Sequence, residues 1–425
     1  MNKIENAKIK EVCYEEVLPN GLRVMIVPKK GIEKKYIIWA TRFGSIDNTF
    51  IDQESGEKVN VPDGIAHFLE HKMFEQKNGV DSLYKLMALG IDANAYTTND
   101  HTAYLFECSD HFYEGLDELM DYVQNPYYTD QNVEKEKGII GQEIRMYDDD
   151  PSWQLYINTM DCLYKNNPIK IDIAGTQETI APINPQMLYT CYNNFYHPSN
   201  MVLVVVGDFE PKELLEEIKK RLIPKEKRAE IKRIYPEEPS MINKKEKEVS
   251  MDVSQPLFMI GVKVDSNIES KEKVKEHIAI EIILNMLLGK SSKLFDELYE
   301  KNLLLDEPSM EFEFSKEYAH ILICAQSKNP KEVYNKILDE IKKLKESGIN
   351  EADFERIKKK IYGDYVIEYN NVGSIGRMFV SDSIKGINSF DYINEFDDVD
   401  EEYTKKILEN VFDESKTVIS IVNPV

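Results

Sequence analysis

Apolar residues follow two different periods along this chain, and the switch between them marks its elements. Short β-type runs at 22–27, 36–43, 93–98 and 102–108 predict strands, the last two folded around the turn Asn99-Asp100-His101. Pro19-Asn20-Gly21 is a hairpin signal ahead of the first. The apolar run at 201–208 predicts a strand in the middle of a sheet. Between these runs the spacing changes to about 3.6. It predicts helices over 65–74, 81–89, 112–123, 132–147 and 211–222. Gly90 closes the second, and Asp148-Asp149-Asp150-Pro151 stops the fourth.

The second half repeats the layout. Strands are expected at 257–264, 310–314, 320–326 and 417–422, and helices at 277–288, 294–303, 331–347 and 351–369. The ends of the halves correspond best. Residues 186–193, Phe195 and 202–206 are matched by 402–409, Phe412 and 417–422. A repeat of roughly 200 residues is too long for a solenoid and implies duplication of one domain. The expectation is an α+β protein of two homologous domains, each a β-sheet packed with helices. The N-terminal domain is 1–222, the charged, Pro-containing stretch 223–250 is a linker, and the C-terminal domain is 251–425.

Composition narrows the class. A length of 425 residues exceeds one ordinary core. The 42% hydrophobic and 30% charged content is that of a globular protein, and no apolar run approaches the roughly 20 residues of a membrane span. The start, Met1-Asn2-Lys3-Ile4-Glu5, has no apolar signal core. The 5 cysteines are scattered, without a C-x-x-C pair, as in a reducing compartment. These features indicate a cytoplasmic protein. A net charge of −23 argues against nucleic acid or an anionic membrane as partner.

The chemistry concentrates at His67-Phe68-Leu69-Glu70-His71, an H-x-x-E-H pentad. On a helix, His67 and His71 stand one turn apart on one face and can bind one cation, as they would for zinc. Glu70 lies beside them, where a carboxylate can take a proton from water. The same spacing also fits two ordinary helix histidines. A hydrolytic zinc site needs a third protein ligand from elsewhere. The helix over 132–147 carries Glu136 and Glu143, seven residues apart on one face, with Ile139 and Ile140 between them. Carboxylates on a stripe that also holds isoleucines read either as groups aimed at a site or as ordinary surface glutamates. The second half has no such pentad, so only the first can carry this metal.

Taken together, Gly64-x-Ala66-His67-Phe68-Leu69-Glu70-His71, Asn94-Ala95-x-Thr97, Thr102-x-Tyr104, Glu136-x6-Glu143 and Phe195-Tyr196-x-Pro198-x-Asn200-Met201 leading to Gly207-Asp208 resemble the pitrilysin (insulinase) family of zinc peptidases, which includes the mitochondrial processing peptidase. The resemblance covers nearly the whole chain. It implies two similar α+β domains per chain and an active unit of four such domains around a peptide chamber. It implies one zinc held by His67, His71 and Glu143, with Glu70 as general base and Glu136 as a carboxylate behind the ligands that orients them. It also implies that Asn94, Ala95 and Tyr96 pair with the substrate backbone as an added strand.

One departure bears on partners. The family carries an Arg and a Tyr in its second half that hold the substrate carbonyl, after a small-residue loop matching Gly289-Lys290-Ser291-Ser292. Here Lys293 stands for the Arg and Leu305-Asp306 for the Tyr. Some members divide these parts between two homologous subunits. The reading is therefore a zinc endopeptidase subunit acting on short or unfolded peptides, leader peptides among them. A heterodimer with a homologous chain supplying the pair is favoured over a homodimer. The alternatives are a non-catalytic peptide-binding or scaffold subunit and a zinc hydrolase of small molecules.

Overall fold

The computed structural model describes residues 1–77, 79–266 and 270–425, residue 270 by its backbone alone. Two compact units divide the chain. The first gathers Met1–Ile144, Asp172–Tyr235 and Ile367–Ser389; the second gathers Arg145–Ile171, Pro236–Val366 and Phe390–Val425.

In the first unit seven of the described strands form one sheet in the order Asn2–Asn6, Glu11–Val17, Arg23–Pro28, Met201–Gly207, Lys35–Thr41, Thr102–Cys108, Asp92–Thr97. Arg23–Pro28 and Met201–Gly207 run parallel, while the other neighbours are antiparallel. All of Met201–Gly207 is buried, because both faces of the sheet are covered. On one face Val24, Ile26, Ile37, Trp39, Tyr104, Phe106, Leu203 and Val205 join a core with Phe68 and Leu69 of the helix Ile65–Lys72 and Leu116 and Leu119 of the helix Phe112–Gln124. On the other lies the helix Val372–Lys385, packed on Met201–Gly207 and Lys35–Thr41. Gly376 permits that approach: a Cβ there would stand 2.4 Å from the Tyr36 ring.

The second unit has a five-stranded sheet in the order Glu246–Met251, Thr417–Pro424, Leu257–Lys263, Ala319–Gln326, Ser309–Phe314. The helix Pro151–Leu163 packs on it, and Gly261 again makes room, since its Cβ would meet Leu163 and Thr159 at 2.9 Å. Each sheet is thus covered on one face by a helix from the opposite half of the chain.

Several local readings differ from expectation. The helix expected over 277–288 begins at Ser270. Within 223–250, Ile231 is buried and the Arg233 guanidinium pairs with Asp47 at 2.9 Å, while Glu246–Met251 pairs parallel with Thr417–Pro424. The charged surface of that stretch hides these few anchors. The helix Val372–Lys385 was not anticipated, because Gly373, Ser374 and Gly376 weaken helix propensity where packing demands small residues.

Candidate metal centre

The helix Ile65–Lys72 starts at Gly64, whose φ of 88° is the left-handed conformation. A side chain there would also collide with the Ala174 carbonyl at 2.4 Å. Ile65, Ala66, Phe68 and Leu69 bury one face in the core. That anchoring turns His67, Glu70 and His71 toward the helix Asp130–Asp148, which carries Glu136 and Glu143.

His67 and His71 lie with ring centroids 4.6 Å apart. Nε2 of His67 is 3.6 Å from one oxygen of Glu143, and Nε2 of His71 is 3.4 Å from the other. One ligand atom from each of the three residues lies within 4.8 Å of the others. Atoms each about 2.1 Å from one tetrahedral ion stand about 3.4 Å apart. The donor set, two imidazoles and a carboxylate, is one that zinc takes, and it leaves a fourth position for water or substrate. The residues present fit the metal.

The electrostatics of His67 agree with ligand duty. Burial and the neighbouring His71 charge push His67 down to about 3, so its ring is neutral near pH 7. Burial lowers His71 as well, but its hydrogen bond to Glu136 and the charges of Glu70, Glu143 and Glu136 outweigh this and raise it. Nδ1 of His71 sits 3.2 Å from Oε1 of Glu136. That contact leaves Nε2 facing Glu143. Burial favours the neutral form of Glu136, yet the His71 contact and Lys72 bring its carboxyl below the ordinary range.

Glu70 is 7% exposed. Burial pushes it up to about 7, against the pull of a hydrogen bond from Thr97 and of His71. Thr97 Oγ1 donates to Glu70 Oε2 at 2.5 Å, and Thr102 Oγ1 lies 3.2 Å from Thr97 Oγ1. A carboxyl held near neutral pH beside three ligand-type groups suits proton transfer in both directions.

Asp92–Thr97 is the edge strand of its sheet, paired only with Thr102–Cys108 among the described strands. Asn94 and Ala95 line a cavity of about 370 Å³ together with Glu70, His71, Phe74 and Glu136. Tyr96 does not line it; its hydroxyl lies 3.4 Å from Nε2 of His101. Two further side chains join the centre that sequence reasoning did not single out. Thr97 falls inside the quoted Asn94-Ala95-x-Thr97 motif, so its signal was present. Lys72 follows the pentad directly, is fully buried, and places Nζ 3.3 Å from Glu136 Oε2; nothing in its spacing distinguishes it from a surface lysine.

Comparison with known proteins places the chain in a family. The model of the insulinase family (peptidase family M16) matches residues 55–177, which hold the pentad and both glutamates. The model described as the peptidase M16 inactive domain matches 182–361. The chain is 38% identical over 416 residues to the uncharacterized zinc protease YmfH of Bacillus subtilis (strain 168), covering 97% of this chain and 95% of that one. A solved M16-like peptidase from Alicyclobacillus acidocaldarius superposes with a TM-score of 0.93 at 32% identity, covering 99% of this chain and 100% of that one. A protease from Helicobacter pylori shares the fold at a TM-score of 0.82 and 20% identity, over 97% of this chain and 99% of that one. This chain belongs to the M16, or insulinase, family of peptidases. Its relatives are named zinc proteases. No helix among the described residues is long and apolar enough to cross a membrane.

Proposed function

We propose that this chain is the metal-bearing, catalytic subunit of a zinc endopeptidase that cleaves short or unfolded peptides, leader peptides among them, in the cytoplasm. The observation that carries the reading is the position of Glu70, buried beside His67, His71 and Glu143 and hydrogen-bonded by Thr97. His67, His71 and Glu143 would hold the zinc, one ion per chain. When bound, zinc supplies Lewis-acid polarisation of a peptide carbonyl and makes a water easier to deprotonate. Glu70 takes the proton from the attacking water and returns it to the leaving amine. Thr97 holds one carboxylate oxygen of Glu70 and leaves the other free for the proton. Glu136 orients His71. The edge strand Asp92–Thr97 offers its open side to an extended peptide, with Asn94, Ala95 and Tyr96 alongside.

The Arg/Tyr pair expected in the second half is replaced. Lys293 is exposed at the start of the helix Lys293–Glu300, and Leu305 is 58% exposed. We therefore assign the carbonyl-holding pair to a homologous partner, as a heterodimer in preference to a homodimer. Free, unpaired cysteines fit the cytoplasmic assignment. A second reading, a non-catalytic peptide-binding or scaffold subunit, is favoured by the same replacement at Lys293 and Leu305-Asp306.

Native mass spectrometry of the protein isolated from its own cells tests this. The expected species is two different chains of similar mass with one zinc, the partner's sequence carrying the Arg/Tyr pair. A metal-free species contradicts the catalytic reading, and a zinc-loaded monomer or homodimer contradicts the divided site.

A further inference from the structure

Lys72 has no exposure at all, where Lys263 and Lys273 keep 6% and 3%. It ends the helix Ile65–Lys72, immediately after the second histidine of the pentad. Its ammonium meets two carboxylates. Nζ donates to Glu75 Oε2 at 2.6 Å and to Glu136 Oε2 at 3.3 Å. The other oxygen of Glu136, Oε1, lies 3.2 Å from Nδ1 of His71. Nε2 of that same ring faces Glu143 at 3.4 Å. The contacts form one chain: Glu75, Lys72, Glu136, His71, and then the metal position.

A buried ammonium is costly unless its hydrogen bonds are met, and Glu75 and Glu136 each accept one from Lys72. A carboxylate held at one oxygen only can turn about its last side-chain bond. Glu136 is held at both, by His71 on one side and Lys72 on the other, so its plane is fixed. The i,i+3 spacing lets Glu75, on the turn after the helix, draw Lys72 across Glu136.

We propose that Lys72 is a positioning residue of the metal centre: by clamping Glu136, it fixes the orientation of the His71 ring and so the direction of its Nε2. The inference rests on the reading of His67, His71 and Glu143 as ligands and extends that centre one residue further back. Removing a partner of this kind typically weakens metal binding by about 10–100-fold.

The test uses the full-length chain and reads the metal directly. Zinc affinity is measured by chelator competition, and the visible absorption of the Co²⁺-substituted protein reports ligand geometry. The K72M variant keeps the hydrocarbon length without the ammonium. It is expected to bind zinc about tenfold or more weakly and to shift the Co²⁺ spectrum, while K72Q, which keeps a donor for Glu136, lies between K72M and the parent. In an E136Q background, K72M is expected to add little further loss, since the two act through one contact. A lysine that merely stabilises the fold would lower the melting temperature and leave affinity and spectrum as in the parent, and that result overturns the proposal. Should K72M fail to fold, K72Q carries the comparison: a several-fold weaker affinity with a shifted spectrum supports the clamp, and parental values overturn it. If the parent chain itself binds no metal, the ligand assignment fails first and the clamp with it.

Discussion

Thr97 Oγ1 donates a 2.5 Å hydrogen bond to Glu70 Oε2, joining the edge strand of the first sheet to the pentad helix. One contact ties the surface offered to a peptide to the group offered to a water. Thr102 Oγ1 lies 3.2 Å from Thr97 Oγ1 and donates to the Phe43 carbonyl at 2.8 Å. The aim of Glu70 is therefore set by the sheet as well as by its own helix.

Replacing Thr97 by Val keeps the shape and removes the donor. A hydrogen bond to a charged group is worth about 1.5–3 kcal/mol, so kcat should fall about tenfold or more. Zinc content, measured by elemental analysis, should stay at the parental value, because Thr97 touches no ligand. An unchanged kcat would show that Glu70 is aimed by something else.

Glu143 is the one ligand candidate from a second helix. With E143Q, His67 and His71 remain and the anionic donor is lost. Zinc affinity in chelator competition should fall by more than the roughly 10–100-fold typical of losing a supporting partner. Parental affinity in E143Q would mean that the third ligand lies elsewhere.

The turn that follows the edge strand holds a buried carboxylate–imidazole pair. Oδ1 of Asp100 lies 2.6 Å from Nδ1 of His101 and also accepts from Thr98 Oγ1. Burial pushes the Asp100 carboxyl up, but the His101 hydrogen bond and charge outweigh it and hold it at about 2. A folded-state value below the unfolded one adds stability that is present above about pH 4 and lost as the pH falls toward 2. The shift is worth about 2 kcal/mol. The stability difference between the parent and D100N, from denaturant unfolding, should shrink by about that much between pH 5 and pH 2. A difference constant across that range would contradict the assignment.

Much of the centre was legible because its chemistry repeats at helical spacing. His67, Glu70 and His71 stand on one helix, and Glu136 and Glu143 face them from another. Spacings of about four and of seven residues put each set on one face of its helix; the resemblance to the insulinase family, and not spacing, joined the two helices into one site. The long apolar runs were equally legible, since Met201–Gly207 is buried throughout. What local pattern could not reveal depends on residues far apart in the chain. Val372–Lys385 is a helix because Gly376 lets it lie on Tyr36. Lys72 reads as a surface charge until Glu75 and Glu136 are seen around it. The strand Asn2–Asn6 shows little apolar alternation, being a largely exposed edge strand paired only with Glu11–Val17 among the described strands.

Glu70 is proposed to move the proton in a metal-dependent peptide cleavage. Its most direct test compares the parent and E70Q, each zinc-loaded and supplied with the co-isolated partner, on a mixture of short unfolded peptides, with products read by mass spectrometry. Cleavage by the parent is expected, with a loss of at least about 10²-fold in rate for E70Q and equal zinc content in both. Cleavage by E70Q at the parental rate, or no cleavage by either protein, would contradict it.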